Sequence, residues 1–269
     1  MAATSTDRLQ SPETVRDILI WVYGLKQEPH KTNLVNEIHA ICEKYKIQTP
    51  KKRWEQFVDE LAIQCSEILR AIQGNPYGYC YNCKHDIAKF EYPTAHKAEF
   101  FPWFNHYLKS LNDRMTFLRQ KCREGGEWSN QTYTVEGNKE NKSDLYKFML
   151  DLDPKCKTVD CTAARKCSEC PIKMGFNEGC LKASGKTGKD LLKELDQLLT
   201  EGSPLFVMLA LDDAKEGKGI GNLLLRMSMA GIAGGSVAYI ATTGAAAPAM
   251  ATIADTLASF FNSVLLPLF

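Results

Sequence analysis

Seven cysteines that lie apart from the apolar helical patterns are the residues whose types and spacing suggest chemistry. Cys80 and Cys83 form one Cys-x-x-Cys pair. Cys156, Cys161, Cys167, Cys170 and Cys180 fall within 25 residues, and Cys167 with Cys170 repeats the pair spacing. Two such pairs present four thiolates, the ligand set of a tetrahedral structural zinc. More than 80 residues separate them, however, which is far from the compact spacing of zinc knuckles. Disulfides are the favoured reading of the seven. The stretch around 156–180 has few large apolar residues, chiefly Val159, Ile172, Met174 and Phe176, so it gains little order from burial and needs covalent ties. A redox dithiol requires a strand–helix context and a helix N-terminus to activate one thiol, and no strand pattern leads into Cys80. Cys42, Cys65 and Cys122 sit instead on apolar helix faces, where a thiol acts as a small hydrophobe.

Other chemistries are thinner. The histidines His30, His39, His85, His96 and His106 form no His-x-x-x-His pair. Gly185-Lys186-Thr187 looks like the end of a phosphate-binding loop. That loop needs four residues after its first Gly, but five separate Gly179 from Gly185, so the expectation is a turn that opens a helix over 190–199. Asn130-Gln131-Thr132 and Asn141-Lys142-Ser143 match the N-glycan acceptor pattern in a polar loop. Tyr77, Tyr79, Tyr81 and Tyr92 lie in a loop over 77–101, where tyrosine contributes contact area at small entropic cost. The competing reading is that they pack back onto the helices. No nucleophile and base are spaced as a working pair, so the expectation is a non-enzymatic protein that acts by binding, with no cofactor and no small-molecule substrate. The near balance of 33 Lys and Arg against 32 Asp and Glu argues against nucleic acid as a partner.

The elements that must position these residues are helical. Ser11-Pro12 reads as a cap and first helical position ahead of Val15, Ile18, Leu19 and Val22. Leu34, Val35, Ile38, Ile41, Cys42 and Tyr45 mark a second helix. A third starts at Thr49-Pro50, buries Trp54, Phe57, Leu61, Cys65, Ile68 and Ile72, and stops at Gly74 and Pro76. A fourth spans about 102–123 and ends at Gly125-Gly126. Ser143 caps a short helix through Leu150, and helical pattern returns after Ser203-Pro204. The fold expected is mainly α: a disordered 1–10, a helical bundle over 11–125 with the cysteine-containing loop 77–101, a mobile polar loop at 126–142, a cysteine-rich segment with helices at 143–218, and a membrane-associated segment at 219–269.

That last assignment rests on charge. Every Lys and Arg lies at or before Arg226, and Asp255 is the only charged side chain after it. Residues 227–254 form an uncharged run, longer than the roughly 20 residues that span a bilayer. The expectation is a C-terminal apolar membrane helix, or a helical hairpin broken near Gly244 and Pro248. Residues 1–10 are polar and show no signal-peptide core.

Four pieces together resemble the variant erythrocyte surface antigens and related multigene surface proteins of Babesia. They are Ser11-Pro-Glu-Thr-Val-Arg-Asp-Ile-Leu-Ile-Trp21, Cys122-Arg-Glu-Gly-Gly-Glu-Trp128, Cys167-Ser-Glu-Cys-Pro-Ile-Lys-Met-Gly-Phe176 with Cys180, and Ser203-Pro-Leu-Phe206. The resemblance is discontinuous and covers about half of the chain before residue 219. It implies a helical, cysteine-rich domain displayed at a parasite or infected-cell surface, anchored near its C-terminus, contacting a host or another parasite surface protein. The chain is short for that group and ends in apolar residues 265–269 rather than a polar tail. The alternative is a tail-anchored scaffold facing the cytosol, with reduced cysteines or a structural zinc, because Lys215, Lys218 and Arg226 flank the span on its N-terminal side.

Overall fold

The computed structural model describes residues 11–45, 47, 49–74, 87–92, 100–132, 143–152, 173–181, 185–215 and 219–229. Among these it is all-α. The eight helices are α1 (Val15–Gly24), α2 (His30–Lys44), α3 (Lys51–Gln73), α4 (Phe100–Cys122), α5 (Asp144–Met149), α6 (Gly188–Leu198), α7 (Pro204–Lys215) and α8 (Ile220–Met229). The chain divides into two compact units. The first comprises Met1–Leu34 and Val58–Leu199, the second Val35–Phe57 and Thr200–Phe269, so the division falls inside α2 and inside α3.

In the first unit, α4 is the central helix, with α1 and α6 against it. Its buried face carries Phe100, Phe101, Phe104, Leu108, Leu111, Met115, Leu118 and Cys122, a helical period begun earlier than the sequence pattern suggests. Pro102 falls within the first turn, where its missing N–H leaves no bond unmade. Trp21 of α1 meets α4 edge-on at Tyr107, with ring centroids 5.1 Å apart, and lies tilted to Phe100 at 6.2 Å. Gly74 and Gly125 adopt left-handed φ of 66° and 72° just past α3 and α4, which stops both helices where the sequence places the stops.

The second unit contains the later part of α2, the first residues of α3, and the packed pair α7 and α8. Trp54 and Phe57 are fully buried, with rings perpendicular at 5.6 Å. In the helix pair, Leu205, Met208 and Leu211 of α7 and Leu223 and Met227 of α8 are all buried.

Two expectations need correction, and a third is described only in part. The first helix does not start at Ser11-Pro12. Its N-cap is Thr14, whose hydroxyl accepts from the Asp17 amide at 3.1 Å, because the next two amides are held by a distant segment described below. Residues 126–132 are not a mobile loop: Trp128 and Ser129 are buried there. Residues 220–229 are the described part of the segment 219–269 expected to associate with a membrane. They form an amphipathic helix whose Arg226 bonds Glu201 at 2.6 Å, as befits a helix with one wet face. No helix among the described residues is long and apolar enough to cross a membrane. The uncharged stretch 230–269 lies outside them, as do residues 1–10.

Candidate functional site

The sites named by the sequence divide between residues the structure describes and residues it does not. Cys80, Cys83, Cys156, Cys161, Cys167 and Cys170, with Tyr77, Tyr79 and Tyr81, lie outside the described residues. Cys180 is a free, half-buried thiol in a turn, its amide donating to the Asn177 side chain at 3.0 Å. Cys42, Cys65 and Cys122 are free and buried, and burial pushes each thiol up to about 12. Such thiols stay protonated and unreactive at neutral pH, as small core hydrophobes do. Among the described residues, no group of three or more His, Cys, Asp and Glu is placed to hold a metal.

Tyr92, one of the four tyrosines expected to face a partner, turns inward. Its ring stacks on Trp21 at 5.4 Å and on His30 at 4.1 Å, and its hydroxyl donates to the Trp21 carbonyl at 3.2 Å. Burial raises the phenol above its ordinary value and lowers His30 below its own, the latter opposed by Glu28. The Trp21 indole donates in turn to the Glu91 carbonyl at 3.0 Å. Tyr92 is thus half-buried, and its stacking on Trp21 and His30 ties residues 87–92 to α1 and the start of α2.

Gly185-Lys186-Thr187 opens a helix, as its spacing suggests. Thr187 and Asp190 form a reciprocal capping box at the start of α6, which holds Asp190 below the usual carboxylate range. The lysine is already engaged: Lys186 Nζ donates to the Ala71 carbonyl at 2.8 Å and to Glu194 at 2.6 Å. Lys186 is thus committed to holding α6 against the end of α3.

Two joints escaped sequence reasoning. In the first, the Val15 and Arg16 amides donate to the Lys173 and Met174 carbonyls at 2.8 and 3.1 Å. The Met174 and Gly175 amides donate in turn to the two carboxylate oxygens of Asp151 at 2.7 and 2.8 Å. Asp151 sits at φ 55°, a left-handed conformation that Asp tolerates better than most residues. Arg114 of α4 and Lys173 favour its charged form, while burial, the largest influence, raises its carboxyl above the ordinary value. The Asp151 carboxylate therefore clasps the two edges of the undescribed stretch 153–172.

In the second joint, the first two amides of α6, Gly188 and Lys189, donate to the Gln131 and Ser129 carbonyls, both at 2.9 Å. Trp128 anchors that turn, its ring 4.9 Å from Phe148 and 5.8 Å from Phe117. Only glycine fits at 188, since a Cβ would lie 2.2 Å from the Trp128 carbonyl oxygen and 3.1 Å from Cys122 Sγ.

Each joint involves at least one segment that carries the surface-antigen resemblance. The opening helix meets Lys173, Met174 and Gly175, and the Cys122–Trp128 stretch meets the start of α6. In this chain these residues make the scaffold. The only advance signal was residue type: a lone Asp after a short helix and a Gly at a helix start, both common for other reasons. The chain matches no protein-family model, no curated protein and no solved structure.

Proposed function

We propose that the protein is a non-enzymatic, membrane-anchored display domain of the kind the surface-antigen resemblance implies, with the uncharged stretch 230–269 as anchor and the helical units as the displayed part. The observation that carries this reading is where charge stops. Arg226, the last basic residue, reaches from α8 to bond Glu201, three residues before Met229. From there only Asp255 is charged in 40 residues, a composition suited to lipid rather than water. A host or parasite surface protein is the partner class, met through exposed loops on a helical support.

Carbonate extraction of the full chain tests the anchor. The protein partitions with membranes, whereas a chain ending at Met229 is released. A chain ending at Lys218 loses α8 and exposes the α7 face, so it misfolds rather than reporting on anchoring. Recovery of the full chain in the carbonate supernatant would remove the proposal.

The cytosol-facing scaffold remains the second reading. It is favoured by the free state of Cys180, which an oxidising compartment would tend to pair, and by the basic residues before the span.

A further inference from the structure

We propose that Asn130 is an N-glycan acceptor, a modification that rests on the display reading above because it requires the first unit to face a lumenal compartment. Acceptance demands an accessible amide, an accessible hydroxyl two residues later and no proline between them. Asn130 and Thr132 are both exposed, and Gln131 separates them. The backbone on either side is fixed. Ser129 and Gln131 give their carbonyls to the α6 amides, the Gln131 side chain accepts from the Leu145 amide at 2.9 Å, and Thr132 forms an antiparallel bridge with Thr187. Beneath them Trp128 is buried against Phe117 and Phe148. Asn130 is thus the exposed crest of a turn held from beneath by Trp128 and by the Ser129 and Gln131 carbonyls, and a sugar attached there meets solvent without displacing any of these contacts.

The reaction is a group transfer from a lipid-pyrophosphate-linked oligosaccharide supplied by a membrane transferase. Asn130 Nδ2 forms a bond to the anomeric carbon, and the bond from that carbon to the pyrophosphate oxygen breaks. The amide gives up one proton to the transferase, and the lipid pyrophosphate departs.

The test is translation of the full chain with endoplasmic-reticulum microsomes, followed by endoglycosidase digestion, for the native sequence and for Asn130→Gln, Thr132→Ala and Asn141→Gln. A parallel chain carries an Asn-Ser-Thr tripeptide appended to its N-terminus. The expected result is an endoglycosidase-sensitive mobility step that is lost in Asn130→Gln and in Thr132→Ala and kept in Asn141→Gln. A step that survives Asn130→Gln and vanishes with Asn141→Gln overturns the assignment. If the appended acceptor is modified and Asn130 is not, the assignment falls while the display topology stands. If neither is modified, the assignment falls and the cytosol-facing reading replaces the display reading.

Discussion

Replacing Gly188 with alanine sets two physical effects against each other, and the sign of the result separates them. Alanine is the better helix former by about 1 kcal/mol in a helix interior and by no more than that at the first position of α6, so propensity alone predicts that Gly188→Ala stabilises it. Packing predicts the reverse. The added Cβ falls 2.2 Å from the Trp128 carbonyl oxygen, roughly 1 Å inside any tolerable approach, and the neighbour is backbone rather than a flexible side-chain tip. The turn must therefore retreat by about 1 Å. The bonds from Gly188 and Lys189 to Gln131 and Ser129, now 2.9 Å, then open beyond bonding distance. Each is worth about 1 kcal/mol net, and the amides left behind near Cys122 and Trp128 add roughly another 1 kcal/mol. Less the propensity gain, the expected loss is about 2 kcal/mol, or about 4–8 °C in Tm for a unit of this size. Thermal unfolding followed by circular dichroism measures it, with Lys189→Ala at the exposed neighbouring position as a propensity control. An unchanged or raised Tm for Gly188→Ala would mean that residues 128–131 are not clamped on α6, and both the joint and the outward crest at Asn130 would lose their basis.

Three further outcomes follow from the other joints. Asp151→Asn keeps the shape and tolerates φ 55°, but presents an NH2 group to one of two amide donors. It should cost about 2 kcal/mol in denaturant unfolding, and an unchanged midpoint would refute the clasp. Asp190 is held below its ordinary value of 3.8 by Thr187, so the stability it adds is full above 3.8 and lost as pH falls through its lower folded value. The stability difference between the native chain and Asp190→Asn should therefore shrink to nothing on that acid side, and a difference that grows on acidification would contradict the capping box. Maleimide labelling of the native protein, read by peptide mass spectrometry, should modify Cys180 and spare Cys42, Cys65 and Cys122 until denaturant is added. Labelling of Cys65 at the rate of Cys180 would refute its burial.

Helix existence was legible because local rules suffice for it. The stops at Gly74 and Gly125, the cap at Ser143, and the start at Pro204 follow from φ, a hydroxyl and a missing N–H within one turn of each end. What failed was set by partners far away in the chain. Ser11-Pro12 is a good local start, yet the helix begins at Val15 because the carbonyls of Lys173 and Met174 receive its first amides. The polar composition of 126–142 suggested a loose loop, and one residue, Trp128, outweighs it over 126–132 by finding Phe117 and Phe148. Apolar content marked the segment from residue 219, but Leu223, Leu224 and Met227 are buried in a helix that packs on α7, a partner the linear order does not show. For Tyr92 the sequence left two readings open, and the ring packs back half-buried on Trp21 and His30, an adjacency that nothing in the linear order shows.

The capture of the α1 amides by Lys173 and Met174 also sets an order of events during synthesis. More than 150 residues separate Val15 from Lys173. At about 5–20 residues per second, the ribosome needs roughly 10–30 s to deliver the carbonyls that complete the first turn of the first helix. Until then those amides bond only to water, and the N-terminal helix stays frayed at its leading end while later helices emerge. The nascent chain therefore cannot close its first unit from the front. It closes only once residues 173–175 and then α6 have arrived, before the apolar tail begins to leave the ribosome.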